Sequence, residues 1–187
     1  MDDDLKFGED RGRSFSDLVP LFRLRRTPAR VPLLRLVRQV GPGDVEHLYT
    51  ASRLECDAAT EHHGYALKDV VCAITDLPVT GSVPLVRLWH VEFRRHSLTA
   101  HPANLAAAHA RRMYIREGVA GHVFLTDGQP GTVPLYALVH RARYAHLYTT
   151  DEAERDAAVA AGAEALGIAC WVYPAEAQPE DKEGDRG

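Results

Sequence analysis

Three histidines, His47, His96 and His146, follow one another at separations of 49 and 50 residues. Histidine serves as metal ligand, general base or titrating charge near neutral pH. If the three held equivalent places around an axis, their imidazoles could converge on a zinc ion with an open fourth position. The preferred reading is plainer: each ring is fixed locally by a backbone carbonyl or an acid of its own surroundings, as partly buried histidines ordinarily are. Tyr49 and Tyr148 follow two of the histidines by two positions, and Trp89 precedes His96 by seven. An aromatic face with arginine or a carboxylate nearby suits a hydroxylated ligand such as a sugar. His47, Tyr49, Trp89, His96, His146 and Tyr148 are therefore the candidate ligand-binding residues. No catalytic residue and no cofactor is assigned, and the metal is left open. Trp171, inside the apolar run Ile168–Tyr173, reads as core.

Other reactive patterns are weak. In Glu154-Arg155-Asp156 the two acids are two positions apart, so on a helix they point away from each other and cannot share a substrate. Glu154 reads instead as a helix-capping acid. No Gly-x-Ser-x-Gly, HExxH or phosphate-loop pattern occurs. Cys56 lies between Glu55 and Asp57, which disfavours its thiolate. With Cys72 and Cys170 it makes an odd set with no CxxC, so buried, reduced thiols are expected.

The elements that must position these residues recur. Val-Pro-Leu words open at Pro32, Pro84 and Pro134, separated by 52 and 50 residues. Each reads as a strand with proline at its start, with Leu34/Leu36, Val86/Leu88 and Tyr136/Leu138 on one face and Arg35, Arg87 and Ala137 on the other. A loop follows (38–46, 90–95, 140–145), then a short strand around each histidine. Helix starts come next. Ser52 and Asp151 each precede a glutamate by three, the capping-box spacing, and Pro102 suits a first helical turn. Gly64 and Gly162 mark helix ends. Apolar strands Val70–Ile74, Val119–Phe124 and Ile168–Tyr173 close the units. Self-similarity at this period signals a repeat array. The fold class expected is β-rich α+β: three pseudo-equivalent strand-strand-helix-strand repeats, at about 30–76, 81–125 and 131–174, closed around a pseudo-threefold axis in a trefoil- or propeller-like way.

The chain of 187 residues suits one such domain, expected over 17–174, between an acidic disordered N-terminus (1–16) and an acidic tail (175–187). Val19–Leu24 echoes the opening word and reads as an extra strand. Formal charge is −4, yet residues 1–10 alone carry five acids against Lys6, so the core is mildly basic with its arginines scattered. Nucleic acid is thus not an expected partner. No apolar run reaches membrane-spanning length. The start Met1-Asp2-Asp3-Asp4 lacks a basic and apolar leader, which gives a cytoplasmic expectation.

The words Val133-Pro134-Leu135-Tyr136, His146, Tyr148-Thr149-Thr150, Glu154-Arg155-Asp156, Gly167-Ile168-Ala169 and Val172-Tyr173 resemble a repeat family of unknown function whose units read V-P-L-Y-R-L, D-H-F-Y-T-T, E-R-D and E-G-I-A-x-Y-V. The first unit keeps His47, Tyr49-Thr50, Glu55, Asp57 and Gly64-Tyr65. The second keeps His96, Tyr114 and Glu117-Gly118-Val119-Ala120. Such repeats are typically found in secreted or surface proteins, often appended to hydrolases. The resemblance implies a non-enzymatic binding module with a glycan, a cell surface or a protein as partner. A histidine-based, metal-dependent hydrolase and a structural partner in a larger assembly are the alternatives.

Overall fold

A computed structural model describes residues 26–175. The acidic N-terminus, the Val19–Leu24 segment and the tail from 176 onward lie outside the described residues. The chain order is β1 (Arg30–Gly41), β2 (Asp44–Thr50), α1 (Arg53–His62), β3 (Ala66–Thr75), β4 (Val83–His90), β5 (Arg95–Thr99), α2 (Pro102–Arg111), β6 (Tyr114–Val123), β7 (Val133–His140), β8 (Ala145–Thr149), α3 (Glu152–Ala160) and β9 (Glu164–Val172). Three consecutive segments thus share the order strand, strand, helix, strand.

In each segment the opening strand lies between the other two and pairs antiparallel with both. Between each opening strand and its closing strand the register shifts twice, at matching places of the opening strand: Leu33/Leu34 and Arg35/Leu36, then Leu85/Val86 and Arg87/Leu88, then Leu135/Tyr136 and Ala137/Leu138. Such bulges bend a strand and increase its twist. The strands form two antiparallel sheets, β2-β1-β3-β6-β4-β5 and β8-β7-β9, and neither closes into a barrel among the described residues. The ends of the closing strands meet pairwise, through Thr75 with His122, Phe124 with Trp171, and Tyr173 with Ala73. Gly121 stands at this junction because a Cβ there would come within 2.5 Å of Ile74 Cδ1 and 2.9 Å of the Thr75 carbonyl oxygen.

The helix starts follow the sequence. The Ser52 hydroxyl accepts from the Glu55 N–H, Asp151 accepts from Ala153 and Glu154, and Pro102 opens α2. The first two helices each cover one face of their own segment: Leu34, Leu36 and Leu48 pack on Cys56 and Ala59, and Val86 and Leu88 on Ala108. The other face looks inward. Leu33, Leu85 and Leu135, all fully buried, meet Tyr49, Leu98, Tyr148, Cys72 and Cys170 in a core shared by the three segments. Arg35, on the face opposite Leu34 and Leu36, is only 3% exposed, because that face borders a neighbouring segment. All three cysteines are free and buried. Among the described residues, no helix is long and apolar enough to cross a membrane.

Candidate functional site

Hairpin register decides which residues share a face. Arg35 lies opposite Tyr49, Arg87 opposite Leu98 and Ala137 opposite Tyr148; two residues nearer the turns, Val37 lies opposite His47, Trp89 opposite His96 and Val139 opposite His146. The three histidines therefore hold matching places in their hairpins, each at a boundary with a neighbouring segment. Their surroundings differ, and the differences set their charge.

The first boundary, between segments one and two, holds a cleft of about 350 Å³ lined by Arg38, Tyr65, Trp89, Arg94, His96 and Glu117. Trp89 packs against His96 with ring centroids 4.6 Å apart. His96 Nδ1 meets Glu46, and its Nε2 lies 3.4 Å from Glu117. Glu46 is 1% exposed, and accepts from the Tyr65 hydroxyl at 2.6 Å and from Arg38 at 2.8 Å. A buried carboxylate persists only with such partners. Burial would raise the Glu46 pKa, but hydrogen bonds from His96, Tyr65 and Arg38 outweigh it and hold the pKa below the usual range. Burial likewise works against a charged His96, and contact with Glu117 and Glu46 overrides it, raising its pKa. At the back of this cleft Arg87 donates to Glu117 at 2.8 Å and, with two nitrogens, to Glu55 of α1. That fork geometry fixes direction as well as charge.

The boundary between segments three and one repeats the arginine contact. Arg35 donates to Asp69 of its own sheet and to Glu154 of α3 at 2.9 Å, and Lys68 also reaches Glu154. The matching histidine differs. His47 Nδ1 meets the His146 carbonyl at 3.0 Å, and burial, reinforced by the positive charge of Arg35, pulls its pKa down to about 4.

At the boundary between segments two and three the charged contact is missing. Ala137 stands where the arginine would be, and Asn104 holds the place of Glu55 and Glu154, three residues after the helix cap. A cleft of about 480 Å³ occupies the space, lined by residues that include Asn104, His146, Leu166 and Ile168. The His146 Nδ1 is buried with no partner among the described residues. Burial pulls this pKa down to about 4 as well, helped by Arg141 and His90.

Of the six residues singled out in the sequence, Trp89 and His96 are brought together in the first cleft, and His146 borders the second. His47 is tied to a backbone carbonyl. Tyr49 and Tyr148 are buried, with hydroxyls spent on neighbouring backbone: Tyr49 on Tyr148, and Tyr148 on Leu98. Among the described residues, no three histidine, cysteine, aspartate or glutamate side chains are arranged to hold a metal ion. Sequence reasoning missed Glu46, Glu117, Arg38 and Arg87. The signal available for Glu46 was an acid directly before a histidine, on the buried face of a short strand.

Glu154 is not the reciprocal capping acid its spacing suggested. The Thr149 hydroxyl takes the Asp151 N–H at 3.1 Å, as Thr50 takes that of Ser52 at 3.0 Å, so Glu154 and Glu55 are free to bind arginines of the next segment.

No curated protein and no solved structure shows significant similarity to the chain. A family model described as a domain of unknown function, DUF5648, matches residues 35–173 and so takes in both clefts. The chain belongs to the DUF5648 family.

Proposed function

We propose that this chain is a non-enzymatic binding module whose three segments are pseudo-equivalent units closed around a pseudo-threefold axis, and that the first cleft takes a glycan. Closure is supported by the pairwise meeting of the closing strands and by arginine–glutamate contacts passed from one unit to the next. The observation that carries the binding reading is Trp89 packed on His96 in a cleft that also offers Arg38, Arg94 and Glu117. Sugars are recognised by this combination of an aromatic surface and fixed polar groups of both signs.

The surroundings support binding over hydrolysis. Both His96 nitrogens face carboxylates, so the ring has no free nitrogen with which to take a proton from water or a hydroxyl. The Cys72 and Cys170 thiols are pushed up by burial, Cys170 to about 12, which keeps them protonated. The test is a glycan array probed with the wild-type chain and with Trp89→Ala. The reading expects a defined set of glycans to bind and that set to be lost in the variant. Binding to no glycan, or full retention in Trp89→Ala, overturns it.

A further inference from the structure

We propose that the second cleft, between segments two and three, is a site for an uncharged and largely apolar small molecule bearing one hydrogen-bonding group, such as a phenol or a cyclic alcohol. The inference comes from comparing the two clefts position by position, and it does not rest on the glycan reading.

Four charges in or beside the first cleft have a neutral or diverted counterpart in the second. Arg87 becomes Ala137, each opposite the inward residue of its hairpin. Glu55 becomes Asn104, each three residues after a helix cap. Glu117 becomes Leu166, since each precedes the glycine that pairs with Arg87 or Ala137. Glu46 becomes Arg95, each directly before its histidine, and Arg95 turns away to Asp44 and the Arg143 carbonyl. Removing one long ion pair and two acids from such a site opens space and leaves Arg111, exposed at the end of α2, as the one arginine in its lining. About 480 Å³ results, a volume in the range of small-molecule sites.

The walls specify the occupant. Leu166 and Ile168 are 47% and 46% exposed, a cost that an apolar ligand body would remove. Ala107, Ala108 and Leu88 add to the apolar lining. Polar groups in the lining include His146 and Asn104. The His146 ring makes no hydrogen bond with any described residue, and Asn104 uses only its amide nitrogen, toward Thr99 at 3.4 Å, keeping its carbonyl oxygen free among them. One hydroxyl on the ligand matches the Asn104 carbonyl oxygen beside the His146 ring. An ionised ligand would leave water for a site whose one remaining arginine, Arg111, is itself exposed and solvated, and desolvation opposes that.

The test titrates p-cresol, cyclohexanol and 4-methylbenzoate into the full chain, following the methyl signals of Leu166 and Ile168 and the His146 ring by NMR. Saturable shifts are expected for the two neutral probes at a Kd of about 1 mM or tighter, with the benzoate at least tenfold weaker. The variant Asn104→Glu/Ala137→Arg rebuilds the ion pair present at the other two boundaries. It is expected to abolish the shifts while melting at or above the wild-type temperature. Leu166→Glu, at an exposed position, is expected to weaken binding at least tenfold and serves if the double variant does not fold. Absence of saturable shifts, equal binding of the benzoate, or undiminished binding in a folded variant overturns the proposal. Trp89→Ala is expected to leave this binding unchanged, which separates it from the glycan site.

Discussion

The Tyr49 hydroxyl is seated on the backbone of Tyr148, accepting from its N–H at 2.9 Å and donating to its carbonyl at 3.4 Å. Tyr148 treats Leu98 the same way, at 2.9 and 2.8 Å. The second segment has no tyrosine to continue the series, and Arg87 instead donates to the Tyr49 carbonyl at 3.2 Å. Side chains from one segment thus complete the backbone hydrogen bonding of another, inside the shared core.

Tyr49→Phe keeps the packing and leaves the N–H and C=O of Tyr148 without that partner. Unsatisfied buried groups of this kind cost about 1–3 kcal/mol. We expect a loss of about 2 kcal/mol in urea unfolding, and a similar loss for Tyr148→Phe at Leu98. A change within about 0.5 kcal/mol, typical of exposed surface sites, would contradict the role given to these hydroxyls.

Stability should fall as pH drops from about 6.5 to about 4. His47 and His146 have folded pKa values depressed to about 4, so the unfolded chain binds protons first and is lowered in free energy across that window. The stability is intact above the unfolded pKa. Each ring accounts for a loss on the order of 2–3 kcal/mol by the bottom of the window. Denaturation at stepped pH checks this, and His146→Gln should flatten part of the slope; an unchanged slope would refute the assignment.

His96 runs in the opposite sense. Its folded pKa is raised, so its contribution is complete below the unfolded pKa and fades as pH rises through the folded value. Glu46→Gln should lower the His96 pKa measurably in an NMR titration, because one of its two carboxylates becomes neutral. A His96 pKa that does not move would mean that the Glu46 contact carries no charge.

Gly121→Ala and Gly118→Ala form a matched pair on one strand. A Cβ at 121 collides with Ile74 and the Thr75 carbonyl, whereas at 118 it meets nothing within 4 Å. Overpacking costs about 1–3 kcal/mol, while Ala in place of Gly in an open strand gains roughly 0.5–1 kcal/mol. Thermal melts should therefore move in opposite directions, and parallel shifts would count against the close approach at the strand junction.

Much of the scaffold could be read locally. Ser52, Asp151 and Pro102 mark helix starts because caps are contacts across three or four residues. The opening strands also fell where the Val-Pro-Leu words lie. The closing strands begin earlier than their apolar runs, because their first halves, such as Ala66–Asp69, pair with the opening strand while exposed or half-exposed. The site was legible only in part. Trp89 and His96 stood out by type. The partners of Glu154 did not, since Arg35 lies 119 residues away and the capping spacing offered a local explanation for the same acid. Tyr49 and Tyr148 looked like ligand platforms because nothing in the sequence shows that they are buried in the shared core.

The central claim is that the first cleft binds a glycan against Trp89. The chain has two tryptophans, so Trp171→Phe leaves Trp89 as the sole indole reporter. Glycans positive on the array, titrated into that variant, should give a saturable change in Trp89 emission with the affinity found by an independent binding assay. Binding with no change in Trp89 emission would place the ligand elsewhere and contradict the claim.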